Sequence, residues 1–223
     1  MESNKYQQDV LTGLLTRRNF DEQFAAHFEN SVIAQRAFTL AFLDLDKFFR
    51  INEKYGHSAG DELLQGISSL IRSVVPDGSI IARYGGDEFV VLFPDIEREQ
   101  ALLLLETLRN NTVAMKFDMP SSGGISGVTI SAGLATYPVD GNTLNELVRK
   151  ADQALYRAKE LGGNKVKLSY EERMVPKTTH YTQTQLERLT KLAETEEVGE
   201  AVLLREALDM LLLKYRVTAI VNR

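Results

Sequence analysis

The sequence predicts an α/β (α+β) protein, a mixed sheet flanked by helices, followed by a small C-terminal strand-helix-helix module. Three observations carry that prediction. Segments with helical spacing of apolar residues alternate with short, almost continuously apolar runs. Two of those runs are joined by only a short glycine-containing turn, so the sheet mixes antiparallel with other pairings. The character of the chain then changes at Ser169–Lys177, after which strongly helical patterns follow. The expected organisation is a large domain over 1–168, a linker over 169–176 and a small module over 177–223.

The elements follow in order. Phe20, Phe24 and Phe28 recur at helical spacing and predict an amphipathic helix from Phe20 to Ile33. Phe38 to Leu45 (FTLAFLDL) is short and nearly all apolar, the pattern of a buried central strand. Leu63, Leu64, Ile67, Leu70, Ile71 and Val74 mark a helix across Ala59–Val75. Ser79 to Phe93 reads as two strands interrupted by Tyr84-Gly85-Gly86-Asp87, with paired glycines where a tight hairpin turns. Glu97 to Asn110 is helical, Asp118 to Gly127 (DMPSSGGISG) is a loop by composition, and Val128 to Tyr137 is a strand. Thr143 is an N-cap candidate for a helix that runs to Leu161 and stops at Gly162, and Lys165–Leu168 completes the sheet.

Composition narrows the chemistry. The chain has 223 residues, no cysteine and a formal net charge of −5. A disulfide scaffold, a thiolate metal site and a cysteine nucleophile are excluded, so a metal would be held by oxygen or by the three histidines. No apolar run reaches the roughly 20 residues of a membrane span, and the polar start MESNKYQQDV lacks a signal-peptide core, so the expected compartment is the cytoplasm. The first ten residues are expected to be too few for a sensory domain.

Two acidic clusters stand out. Asp44-Leu45-Asp46 ends the first apolar strand, and Asp87-Glu88 follows the diglycine. If those strands are neighbours, the carboxylates converge at one sheet edge. Two or three carboxylates and a backbone carbonyl suit Mg²⁺, which keeps waters and bridges to substrate phosphates. Gly85 and Gly86 let backbone approach a ligand closely. From spacing alone, solvated acids at strand ends explain the same pattern at least as well.

The wider context favours the site. The sequence resembles the GGDEF family, the diguanylate cyclases. The motif stands as Gly85-Gly86-Asp87-Glu88-Phe89, after Ala82-Arg83-Tyr84. Upstream, DLDKFFRINEKYGHSAGD (Asp44–Asp61) is similar to the family's D-x-D-x-F-K-x-x-N-D-x-x-G-H-x-x-G-D. DVLTGLLTRR (Asp9–Arg18) matches D-x-L-T-G-L-x-N-R-R, and ADQALYRAKELGGNK (Ala151–Lys165) matches A-D-x-A-L-Y-x-A-K-x-x-G-R-N. The resemblance covers Asp9 to Leu168. It implies a palm-like nucleotide-cyclase fold and the condensation of two GTP into cyclic di-GMP with release of pyrophosphate. It implies two Mg²⁺ per half-site, with Mn²⁺ as a substitute, on Asp44, Asp87 and the Leu45 carbonyl. Glu88 would add to the metal site or deprotonate the attacking hydroxyl. Asn52 and Asp61 would read the guanine edge, Lys47, Phe48 and Phe49 would line the phosphate loop with Gly85 and Gly86, and Lys159 would meet phosphate. The bland readings are a cap or turn residue for Asn52, a helix N-terminal charge for Asp61 and a solvated helix face for Lys159.

Three departures bear on function. The family's lysine is Phe49 here, followed by Arg50, and the arginine of G-R-N is Gly163, with Lys165 nearby. Where many relatives carry an inhibitory R-x-x-D, this chain has Pro76-Asp77-Gly78-Ser79, so the primary product-inhibition site is expected to be absent.

The resemblance implies that each half-site holds one GTP, so synthesis needs two domains face to face, and the tail is the expected dimeriser. Thr178–Thr182, Leu186–Glu194 and Val202–Tyr215 resemble the ribbon-helix-helix family, whose members are obligate dimers that lay a two-stranded ribbon in the DNA major groove. A packed C-terminal helical hairpin gives similar strings. On the ribbon reading Thr178 and His180 face DNA with Lys177 at the edge. However, 8 basic against 9 acidic residues from Tyr170 to Arg223 leave no basic footprint, and the interhelix turn is rich in glutamate. The expected partners are GTP and a second copy of the chain, with DNA as an alternative and no membrane. The leading expectation is a cytoplasmic diguanylate cyclase. The alternatives are a DNA-binding regulator whose domain senses GTP or cyclic di-GMP, and an inactive scaffold.

Overall fold

A computed structural model describes residues 8–117, 124–169, 179–195 and 199–214. The chain divides into two compact units, Met1–Glu172 and Arg173–Arg223. In the first, the order is β1 (Leu15–Thr16), α1 (Arg17–Ala34), β2 (Phe38–Leu45), α2 (Phe48–Tyr55), α3 (His57–Val74), β3 (Ile80–Gly85), β4 (Glu88–Pro94), α4 (Arg98–Ala114), β5 (Ile130–Tyr137), α5 (Leu144–Glu160) and β6 (Val166–Leu168).

The strands form one sheet in the order β1-β3-β4-β2-β5-β6. β1 with β3 and β5 with β6 are parallel, and the other pairs are antiparallel. The expected mixed sheet is therefore present, with β2 at its centre and every residue of β2 buried. A strand covered on both faces needs no polar alternation, which is why FTLAFLDL is apolar throughout. Alternate β2 residues feed two cores. Ala41, Leu43 and Leu45 face α3 and α4, whereas Phe38, Leu40 and Phe42 face α1 and α5. Gly133 on β5 lets α5 come close in that second layer, because a Cβ there would run into the backbone of Ala151, Ala154 and Leu155.

Thr143 caps α5 as expected. Its hydroxyl accepts from the Glu146 backbone N–H at 3.2 Å, and Glu146 Oε2 accepts from the N–H of Asn142, just before the cap, at 2.9 Å. Two elements were not anticipated. β1 has only two residues, and α2 is an eight-residue helix entered through Lys47, a non-glycine residue at φ 58. Most of the Asp118–Gly127 loop lies outside the described residues, and Phe117 just before it forms a bridge with Ile125 within it.

The second unit contains α6 (Gln183–Thr195) and α7 (Glu200–Lys214), the two expected helices. The Thr190 hydroxyl donates to Glu200 Oε1 at 2.6 Å across their junction. The strand expected just before α6 is not formed over residues 179–182, and Lys177 and Thr178 lie outside the described residues. A ribbon strand has no partner within a single chain, so its backbone groups gain nothing from an extended ladder there. No helix among the described residues is long and apolar enough to cross a membrane.

Candidate active site

Antiparallel pairing of β2 with β4 sets Asp44 opposite Glu88, and the Leu45 N–H donates to the Asp87 carbonyl at 3.4 Å. The two acidic clusters thus meet at one end of the sheet, as their positions at strand ends predicted. Asp44 is 5% exposed, a buried acid in a strand bounded on both sides. Its Oδ2 pairs with Lys159 Nζ at 2.5 Å, reaching from the last turn of α5, while its Oδ1 has no partner. Burial first, and then the neighbouring charges of Asp87 and Glu88, push the Asp44 carboxyl up to about 6, against the pull of Lys159. Asp87 is half-buried and Glu88 exposed.

This donor set fits a hard divalent cation. A cation at Asp44 would satisfy the orphan oxygen and relieve the repulsion among the three carboxylates. Among the described residues no group of three or more acids and histidines forms a complete cage. The remaining ligands would therefore be the Leu45 carbonyl, water and substrate phosphate, the mixed shell that Mg²⁺ prefers.

Asp46 behaves quite differently. Its carboxylate accepts from Thr129 Oγ1 at 2.8 Å, Ser131 Oγ at 2.7 Å and the Asn164 backbone N–H at 2.7 Å. With its oxygens filled by three donors, it ties the end of β2 to β5 and to the loop that follows Lys159.

The hairpin is held from outside. Neither Gly85 nor Gly86 takes a positive φ. The turn itself does not demand glycine, and a Cβ at Gly86 would meet nothing within 4 Å. What the bare Gly86 leaves is room beside Asp87. The Gly86 carbonyl accepts from Arg83 Nη2 at 2.8 Å and Nε at 3.0 Å, and Arg83 pairs with Asp9 at 3.3 Å. Burial pushes the Asp9 carboxyl up, but hydrogen bonds from Thr12 and the charge of Arg83 outweigh it and hold it below the usual range. Asp9 and Arg83 belong to motifs visible in the sequence, yet no spacing rule joins residues so far apart.

Across the hairpin lies the α2–α3 pair. Phe48 packs on the core and Phe49 is 65% exposed. The left-handed Lys47 turns the chain sharply out of β2, so the first N–H groups of α2 sit just past the carboxylates, where a helix start favours phosphate. Gly60 permits α3 to close on α2, because a Cβ there would strike Asn52 Oδ1. That Asn52 oxygen is buried and unpartnered, and Asp61 is exposed one turn into α3. Asn52 is thus neither a cap nor a satisfied turn residue, and Asp61 lies beyond the first turn of its helix. Of the three DNA-facing candidates, His180 is exposed, and Lys177 and Thr178 fall outside the described residues.

Comparison with known proteins identifies the domain that carries this site. Residues 6–165 match the family described as diguanylate cyclase, GGDEF domain. The diguanylate cyclase DgcM of Escherichia coli K12 is 38% identical over 160 residues, which are 71% of this chain and 37% of that protein. The cyclic di-GMP phosphodiesterase NbdA of Pseudomonas aeruginosa is 40% identical over 156 residues, 70% of this chain and 20% of that protein. The chain therefore spans well under half the length of these curated relatives. Among solved structures, the GGDEF domain of DgcB from Caulobacter crescentus in complex with c-di-GMP superposes with a TM-score of 0.68 at 29% identity, over 73% of this chain and 95% of that one.

Proposed function

The chain belongs to the GGDEF diguanylate cyclase domain family, and from that premise we propose that it condenses two GTP into cyclic di-GMP and two pyrophosphates. The single observation that carries the proposal is the buried Asp44, with one oxygen held by Lys159 and the other unpartnered beside Asp87 and Glu88. An unfilled buried carboxylate oxygen is costly and persists where a ligand completes it.

In this reading Asp44, Asp87 and the Leu45 carbonyl hold Mg²⁺ or Mn²⁺. When bound, the metal neutralises charge building on the phosphate oxygens and lowers the pKa of the attacking hydroxyl. The Asn52 oxygen and the Asp61 carboxylate accept from the guanine N1–H and exocyclic amine. Lys159 and the N–H groups at the start of α2, behind Lys47, Phe48 and Phe49, hold the triphosphate, and bare Gly85 and Gly86 give it room. The 3′-oxygen of one GTP attacks the α-phosphorus of the other. A new P–O bond forms, the bond to pyrophosphate breaks, and the hydroxyl proton leaves toward Glu88 or water. The second bond forms symmetrically.

Two half-sites must face one another. We assign residues 1–168 to catalysis and 177–223 to holding a second copy. The exposed Leu186 and Leu192 of α6 and Leu204, Leu208 and Leu211 of α7 support this, since such apolar faces ask for cover. Feedback inhibition is weak in this reading. The 420 Å³ recess lined by Pro76 and Ser79 offers one cation, Arg72, already spent on the Gly13 carbonyl at 2.6 Å. A second reading, a regulator that senses the nucleotide and contacts DNA through His180 and its neighbours, draws on the missing cations at Phe49 and Gly163.

The test is incubation of purified protein with GTP and Mg²⁺. Cyclic di-GMP from the wild type and none from Asp87→Ala is the expected result. No product from a folded wild type overturns the enzyme reading, and a salt-dependent shift of promoter DNA by that inactive protein would select the regulator.

A further inference from the structure

Resting on that reading, we infer that the outer face of α5 is where the second copy docks during catalysis, with Arg149 against the partner's Asp152 and Tyr156 in a recess of the partner. The reaction is symmetric, so the two half-sites meet about a two-fold axis, and the surface bordering the carboxylates must lie in the contact. α5 is that border. Lys159 near its end reaches Asp44, and Asp152 and Arg149 line one recess together with the catalytic Glu88.

The chemistry of this face is self-complementary. Arg149, Asp152 and Tyr156 follow one another on successive turns, and all are exposed. Asp152 has no ion pair among the described residues, and Arg149 has only a 3.3 Å bond to Gln153 of its own helix. Tyr156 is 61% exposed, an aromatic ring next to a highly polar site. A two-fold axis across antiparallel copies of α5 sets Arg149 against the partner's Asp152, and Asp152 against the partner's Arg149. That register fixes everything else along the helix. It brings Tyr156 opposite the partner's Asn145.

Asn145 is not an arbitrary position. With Arg17, Phe42, Tyr84, Val148 and Leu155 it lines the 240 Å³ recess that also holds Glu88. The charge register alone therefore delivers an exposed ring to a concave site partly lined by apolar and aromatic side chains. Rim charges of this kind set register and encounter, and a buried aromatic supplies contact energy. The tail and this face then do different jobs, since the tail keeps two copies together and α5 aligns their half-sites.

The test is charge exchange in the full chain. Arg149→Asp sets two acids against each other twice across the axis, and Asp152→Arg sets two arginines likewise. Each variant alone should form cyclic di-GMP at least about tenfold more slowly than wild type, because juxtaposed like charges are repulsive. Each should still bind 3′-deoxy-GTP, which fills a half-site but cannot attack, with affinity within about twofold of wild type. Co-expression of the two variants under different tags, with tandem purification, isolates the mixed dimer, in which both contacts are attractive again. That dimer should recover to within about threefold of wild type. Single variants at the wild-type rate, a mixed dimer as slow as the singles, or weakened 3′-deoxy-GTP binding would each overturn the proposal. A wild type that makes no cyclic di-GMP under these conditions overturns the enzyme reading itself, and this inference with it.

Discussion

Two buried aspartates sit at opposite ends of the same sheet and live under opposite rules. Asp140, just beyond β5, is 2% exposed. One of its oxygens accepts from Arg98 Nη2 at 2.7 Å, the other from the Thr136 N–H at 2.7 Å. Nearby, Thr39 donates to the Ile96 carbonyl at 2.8 Å and meets the Thr136 hydroxyl at 2.9 Å. Both oxygens of Asp140 are filled there, although Arg98 Nε is left without a partner. Asp44, at the other end, is nearly as buried but keeps one oxygen empty and faces two further acids. Burial with full hydrogen bonding stabilises a fold. Burial without it is tolerated where something else binds.

The comparison can be broken most severely at Asp44. Asp44→Asn removes the charge while preserving shape, and we expect turnover to fall about a thousandfold, the several kcal/mol that metal-assisted charge stabilisation contributes. The same change should stabilise the unliganded protein. The folded carboxyl titrates at about 6, above its ordinary 3.8, so folding disfavours its charged form. The penalty is fully present above pH 6 and fades as pH falls, vanishing below 3.8, where both states hold the proton. Urea melts at pH 8 should therefore show Asp44→Asn more stable by about 2 kcal/mol, with the gap shrinking at pH 5.

Asp140→Asn should do the reverse. Breaking its buried pair with Arg98 should cost about 3 kcal/mol in a urea melt, with turnover per folded molecule near wild type. Lys159→Met comes next, with kcat/KM for GTP falling about tenfold to a hundredfold, the loss of one charged phosphate contact. Because Lys159 holds the Asp44 carboxyl down, its removal raises that pKa further. The acid limb of the Mg²⁺ dependence should then move to higher pH. The smallest effect belongs to Arg83→Met. It frees the Gly86 carbonyl and Asp9, and turnover should drop about fivefold to tenfold with little change in KM, which steady-state kinetics will show.

These pairs also mark what the sequence can express. β2 was legible because a strand covered on both faces must be apolar throughout, and the β3–β4 hairpin because its turn is short. α5 was legible through Thr143 as its N-cap and Gly162 as its stop. The helix α2 escaped because FFRINEKY is short and begins from a left-handed lysine that no propensity favours. At the site, Asp44, Asp46, Asp87 and Glu88 are equal as letters. Only packing separates Asp44, with an orphan oxygen, from Asp46, whose carboxylate is filled by Thr129, Ser131 and Asn164. The link from Asp9 through Arg83 to the Gly86 carbonyl is likewise invisible to spacing, because the tertiary fold alone brings those residues together. The tail was legible as two helices, since amphipathic periodicity is local. A ribbon strand depends on a second chain, and nothing local specifies it.

The most direct measurement sets wild type, Asp44→Asn and Asp140→Asn at equal folded concentration with GTP and Mg²⁺ and quantifies cyclic di-GMP by mass. Product from the wild type and from Asp140→Asn, with none from Asp44→Asn, is the result that follows from an open, cation-binding end and a closed, structural end. Product from Asp44→Asn at the wild-type rate would contradict the assignment of Asp44 to the reaction.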